Sequence, residues 1–196
     1  MIVLDVETTG LSPDKNSLVS IGAIDFDNPS DRFYQECRIW EGAEIDPIAL
    51  LINGYQIEDL HNPSKKTEGQ IVKEFLDWLE NKTSITIAGE NCYFDMYFVE
   101  AAAKRVGDER TLPKRIFDQH SVAYFHMLKR KLNPPIKNSR SALNSDAIME
   151  YVGLPPEPKP HIAINGALWE YEAIYRLIFD KPSLEEFKKY KIPWLS

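Results

Sequence analysis

Cysteine is scarce: Cys37 and Cys92 are the two in 196 residues. Neither belongs to a CxxC pair or stands near paired histidines, which argues against a disulfide framework and a thiolate metal site and for buried free thiols in a reducing compartment. No apolar run approaches 18 residues, and charge appears at position 5, too early for the apolar region of a signal peptide. A cytoplasmic chain with no membrane partner is therefore expected. Internal repeats and low-complexity segments are also missing. At 43% hydrophobic and 27% charged, the composition excludes a disordered or fibrous chain. The length suits one domain over 1–196, with 181–196 as a C-terminal tail, burying about 70% of its unfolded surface.

Positive charge is in short supply overall, with a formal net charge of −7. Phosphate-rich partners reward a basic surface, so this balance argues superficially against nucleic acid. The distribution argues the other way. Between Lys104 and Arg140 ten Lys/Arg stand against three Asp/Glu, so one basic segment lies in an acidic chain. A solvated helix face would look the same on charge alone.

The first forty residues read as three strands, "MIVLDVET", "SLVSIGAIDF" and "RFYQECRIW", separated by turn formers and predicting an antiparallel meander. "DPIALLINGY" predicts a short helix with Asp46 as N-cap, Pro47 in the first turn and Gly54 as stop. In "TEGQIVKEFLDWLENK", Ile71, Phe75, Trp78 and Leu79 share one helical face and belong to the core. "SITIAG" predicts a strand feeding the helix "FDMYFVEAAAKRVG"; "KRIFDQH" and "SVAYFHMLKRK" repeat the pattern. "LNPPIKNSR" reads as a loop, "SALNSDAIMEYVG" as a helix, "LPPEPKP" as a rigid linker, and the segment from His161 as the last long helix. A meander followed by strand and helix in alternation predicts an α/β fold, a mixed sheet flanked by helices.

Asp5 and Glu7 stand at i and i+2 in the first strand, so both carboxylates leave the same face. In an apolar strand their repulsion and desolvation require a compensating cation or proton, unless the strand end is frayed into solvent. Asp95 opens a helix directly after a strand, at the carboxyl end of the sheet where ligands bind in α/β folds, although a first-turn acid also suits the helix dipole. His161 begins the last helix and Asn165 lies one turn on. A neutral imidazole near three acids is a credible general base for activating water. His61, His120 and His126 read as structural.

Together these residues resemble the DEDD-type 3′-5′ exonuclease superfamily, histidine subclass (DEDDh), the group of polymerase III epsilon and ribonuclease T. "VLDVETTGLSP" is similar to its first motif, "NCYFDMYFV" to its second and "HIAINGA" to its third. The resemblance implies a ribonuclease H-like fold with a five-stranded mixed sheet. It also implies two Mg²⁺ or Mn²⁺ ions held by Asp5, Glu7, Asp95 and position 165, with His161 as base. Catalytic roles thus fall on His161, Asp5 and Glu7. Hard oxygen ligands agree with those ions, which in pairs clamp the attacking and leaving oxygens of a phosphodiester displacement.

Asn165 departs from the implied pattern, because an amide there removes one negative charge from the site. A loss of about 3 kcal/mol of transition-state stabilisation would slow the reaction about a hundredfold. The amide then marks an introduced change that traps substrate, a natural variant that turns over slowly, or a domain that binds nucleic acid or protein without hydrolysis. The implied substrate is a single-stranded or frayed DNA or RNA 3′ end, released as nucleoside 5′-monophosphates, with a polymerase or other protein as a further partner. Leu11 is expected to pack on the terminal base, and backbone groups of Thr8 or Thr9, in the tight turn that Gly10 completes, to meet its 3′-hydroxyl. Asn53 lies in a segment expected near that base, and Lys131, Lys137 and Arg140 are expected to grip phosphates.

Overall fold

A computed structural model describes residues 1–195. In chain order the elements are β1 (Ile2–Thr8), β2 (Leu18–Asp25), β3 (Arg32–Arg38), α1 (Pro47–Asn53), α2 (Ile57–Leu60), β4 (Lys66–Thr67), α3 (Glu68–Glu80), β5 (Ile87–Gly89) and α4 (Cys92–Arg105). They continue with β6 (Ile116–Asp118), α5 (Gln119–Lys129), β7 (Ile136–Lys137), β8 (Arg140–Ser141), α6 (Ser145–Tyr151) and α7 (Ala163–Phe179). Two 3₁₀ turns, Glu185–Phe187 and Pro193–Leu195, follow.

The main sheet runs β4-β3-β2-β1-β5-β6, with β1, β2 and β3 antiparallel and β5 and β6 parallel to β1. The meander and the mixed sheet are as expected. The sheet has six strands rather than five, because Lys66–Thr67 pairs in parallel with Cys37 and Arg38. Two residues are too few to display a period of two, so nothing in the sequence marks this strand.

Alternation along β1 divides the core. Ile2, Leu4 and Val6 enter the cluster under α3 and α4, whereas Val3 enters the cluster under α5, α6 and α7. Asp5 and Glu7 share Val3's parity and therefore leave toward α7. That helix seats directly on β2: a Cβ built on Gly22 would stand 2.2 Å from the Ala163 carbonyl carbon.

Local signals set the helix ends. Asp46 caps α1 by accepting from the Ile48 N–H, and Gly54 closes it in the left-handed conformation, as the sequence predicts. Thr67 and Gln70 form a capping box on α3. Other boundaries shift. The segment read as the loop "LNPPIKNSR" contains the β7-β8 hairpin, and α6 starts at Ser145 behind an Asn144 cap rather than at Ser141. The last helix begins at Ala163, so His161 precedes it and the two are not stacked on one helical face.

The segment read as a C-terminal tail is tied into the core. Leu184 and Phe187 are buried against α7, and Arg176 binds its carbonyls at Phe187 and Tyr190. Cys37 and Cys92 are free and buried. Among the described residues no helix is long and apolar enough to cross a membrane.

Candidate active site

β1 pairs with β5 at Ile2 and Val3, and beyond this pairing the Val6 N–H donates to Asp95 Oδ1 at 2.9 Å. The crevice at the carboxyl ends of the parallel strands is therefore closed by a carboxylate. Asp95 reaches it because Asn91, in the left-handed conformation, starts α4 immediately after β5. This is the position that α/β sheets use for ligands.

A cavity of about 210 Å³ opens there, lined among others by Asp5, Asp95, Glu157, His161, Gly166 and Glu170. Three sequence-predicted residues, Asp5, Asp95 and His161, are thus brought together. Glu7 stands beside them on β1, facing the Asn53 amide. Burial is the main force on every acid. It raises Asp5, Asp95 and Glu170 well above the carboxylate range, with their mutual repulsion adding to the effect. Glu7 is pushed up to about 8 by burial and then by Glu157, and Glu157 to about 7 by burial. His161 is lowered by desolvation, then by Lys159, so its imidazole is neutral at neutral pH. Its Nδ1 lies 3.6 Å from Glu157 Oε2, a pairing of two groups whose charged forms are both disfavoured rather than a formed ion pair.

The donor set suits a hard divalent cation, since every acid supplies oxygen and the acids repel one another without one. Two glycines leave room for carboxylates: a Cβ on Gly166 would fall 2.5 Å from Asp5 Oδ2, and one on Gly89 2.7 Å from Glu170 Oε2. Glu170 Oε2 is buried with no hydrogen-bond partner. Among the described residues no three acid, histidine or cysteine side chains already enclose a metal position. The residues fit a cation by chemistry and burial, and it would draw their carboxylates together.

Asn165 is not where the sequence reading places it. Gly166 is the α7 residue that faces Asp5, and Asn165 does not line the cavity. One residue turns a helix by about 100°, so positions 165 and 166 face different ways on α7. The amide at 165 therefore lies outside the cavity that the acids line. Glu157 and Glu170 escaped the sequence reading. Glu157 sits in the Pro-rich linker, and Glu170 lies one turn after Gly166 in "ALWEYEAI", where an acid among large apolar residues is the signal.

The substrate residues divide. Leu11 is 81% exposed, free to meet a base. Thr9 is fully buried; its N–H donates to the Ser17 carbonyl and its hydroxyl to the Glu44 carbonyl, so it has no donor for a 3′-hydroxyl. The Thr8 hydroxyl closes the turn on the Gly10 carbonyl, and Gly10 packs against Asn16 with no space for a side chain. Asn53 is buried, donates to the Thr8 carbonyl and sets its amide against Glu7, between the first-motif turn and the acids. Lys137 and Arg140 line a cleft with Asn144, next to the cavity residue Ser145, whereas Lys131 lines neither. Within the basic segment, Arg105, Arg110 and Lys114 are taken by ion pairs to Glu68, to Asp77, Glu80 and Asp108, and to Glu100. His120 and His126 hydrogen-bond Ser141 and Tyr151, consistent with structural roles.

The exonuclease family model, of the RNase T type, matches residues 2–170. Ribonuclease T of Haemophilus influenzae is 31% identical over 140 residues, covering 62% of this chain and 59% of its own length. The PolC-type DNA polymerase III of Thermotoga petrophila is 34% identical over 105 residues, 54% of this chain and 7% of that protein. The chain therefore spans well under two thirds of the length of these curated relatives. Among solved structures, the nuclease domain of 3′hExo, a DEDDh family member bound to rAMP, superposes with a TM-score of 0.69 at 14% identity over 94% of each chain. E. coli exonuclease I in complex with a dA16 oligonucleotide gives 0.66 at 14% identity over 89% of this chain and 40% of its own. These structures share the fold, ribonuclease H-like with a mixed sheet between helices. By the family-model match over residues 2–170, most of its length, the chain belongs to the exonuclease family, of the DEDD type.

Proposed function

We propose that the chain is a metal-dependent 3′-5′ exonuclease that releases nucleoside 5′-monophosphates from single-stranded or frayed 3′ ends. The observation that carries this reading is the convergence of buried, mutually raised carboxylates and a neutral histidine on one small crevice. A domain that only bound nucleic acid would gain nothing from holding such acids out of water, where each resists ionisation. This favours hydrolysis over the binding-module reading.

Asp5, Glu7 and Asp95 would hold two Mg²⁺ or Mn²⁺ ions. When bound, such ions lower the pKa of a coordinated water and neutralise charge on the displaced oxygen. His161 accepts the proton of the attacking water, a role its neutral imidazole permits at pH 7. Its backbone N–H donates to the Ile52 carbonyl at 3.1 Å, which fixes the linker against α1. Leu11 lies beyond the first-motif turn, exposed for stacking on the terminal base. The exonuclease I complex supports a single-stranded end, and ribonuclease T an RNA end; a polymerase remains a partner by analogy alone.

A 5′-labelled oligonucleotide tests the reading directly. With Mn²⁺ or Mg²⁺ the label is expected in a ladder that shortens from the 3′ end. EDTA should stop the reaction, and Asp5→Asn should slow it by about 10² to 10³. Binding without shortening under any metal would replace this reading with the binding module.

The hairpin is expected to track the phosphates. Reversing Lys137 and Arg140 to glutamate should reduce the salt slope of single-strand affinity by about 1.4, the value for two neutralised phosphates. Leu11→Ala should weaken affinity and leave that slope alone. An unchanged slope in the double reversal would make the hairpin an ordinary solvated surface.

A further inference from the structure

We propose that Glu170 supplies the fourth carboxylate of the metal site, displaced by one helical turn because the position facing Asp5 is Gly166. The inference rests on the metal-dependent reading above and concerns which of the chain's own residues complete it.

Three observations carry it. First, a side chain at 166 has no room of its own: its Cβ would stand 2.5 Å from Asp5 Oδ2 and 2.7 Å from Asp5 Cγ. The glycine lets the Asp5 carboxylate lie against the α7 backbone. Second, residue 170 falls on the same face one turn later, and the longer glutamate side chain reaches into the cavity. Its carboxylate passes the place where a side chain on Gly89 would be, 2.7 Å from that Cβ. Gly89 and Gly166 are thus both bare where an acid needs space. Third, Glu170 is 7% exposed and its Oε2 has no hydrogen-bond partner.

An ionisable oxygen buried without a partner costs free energy in any fold. Nearby Glu172, on the same helix, shows the structural alternative: it is fully buried but paired with Arg176 at 2.8 Å and capped by the Ser183 and Leu184 amides. Glu170 has one backbone N–H, that of Glu90, but the charges acting on it are Asp95, Glu90 and Glu157, all acids, and Oε2 stays unpartnered. A cation between Glu170, Asp5 and Asp95 would satisfy the orphaned oxygen and relieve the repulsion at once. With Glu170 counted, the site again offers four carboxylates to two divalent ions, and no charge is lost at Asn165.

Mn²⁺ titration followed by electron paramagnetic resonance, without nucleic acid, tests the assignment. Glu170→Gln is expected to weaken Mn²⁺ affinity by about 10- to 100-fold, and Asn165→Asp to leave it unchanged. The metal-free melting temperature of Glu170→Gln should equal or exceed that of the natural chain, since a neutral amide is less costly to bury. Glu170→Asp, which keeps the charge but shortens the reach, should also lose affinity while folding normally. If Asp5→Asn loses Mn²⁺ while Glu170→Gln and Glu170→Asp bind as the natural chain does, Glu170 is a buried bystander and the inference falls alone. If the natural chain and Asp5→Asn bind Mn²⁺ equally, or neither binds, the metal-dependent reading falls and takes the inference with it.

Discussion

Arg176→Leu is expected to destabilise the fold by about 3–5 kcal/mol, read as a lower midpoint in urea unfolding followed by circular dichroism. Arg176 is fully buried, and its guanidinium has every direction assigned. Nε donates to Glu172 at 2.8 Å, one terminal nitrogen to the Val152 carbonyl at 3.0 Å, and the other to the carbonyls of Phe187 and Tyr190. Leucine would leave Glu172 charged and buried without its cation, and three carbonyls short of a donor. Because those carbonyls belong to the end of α6 and to the C-terminal segment, the loss should loosen both. Replacing Glu172 and Arg176 together by glutamine and methionine should cost less than Arg176→Leu alone, since no unpaired charge remains. A single-variant loss below about 1 kcal/mol would show that the network contributes little beyond packing.

Gly22→Ala is expected to lower turnover of a labelled 3′ end by about a hundredfold, beyond its effect on stability. The added methyl would meet the Ala163 carbonyl carbon, its oxygen and the Ile164 nitrogen at 2.2–2.4 Å. All three are backbone atoms, so no side chain can swing aside; α7 must lift or β2 must bow. Overpacking of this kind costs about 1–3 kcal/mol. Its functional consequence is larger, because Gly22 pairs with Asp5 across the sheet while Ala163 begins the helix that carries Gly166 and Glu170. The same displacement thus separates the acids of β1 from those of α7. Full turnover at saturating Mn²⁺ in a folded Gly22→Ala chain would show that the close seating of α7 does not position the site.

Much of the site could be read from strand alternation. Asp5 and Glu7 share a face whatever the rest of the chain does, and Asp95 follows a strand into a helix. His161 sits after a Pro-rich break. These are local facts. Helical phase is different: placing the fourth position needed the start of α7 to within one residue, and the chain enters that helix only at Ala163, with Ile162 as N-cap. Gly166 rather than Asn165 thus faces Asp5. Glu170 shows in sequence only as an acid within the apolar run "ALWEYEAIYRL", and without the helical phase that signal does not say which way its carboxylate points. Thr9 and Asn53 look like substrate contacts in sequence, and only their hydrogen bonds to Glu44 and Thr8 show that they brace the turn. β4 and the β7-β8 hairpin are too short to carry a period at all.

The pairing of Gly22 with Ala163 also has a temporal meaning. β1, β2 and β3 can assemble as soon as the first forty residues exist, because their contacts are local in sequence, whereas α7 comes from the far end of the match to its family. Contacts of high sequence separation form late. During synthesis Asp5 and Glu7 thus emerge well before the helix that covers them, and the ion binding proposed above would arrive with the last helix rather than with the first strand.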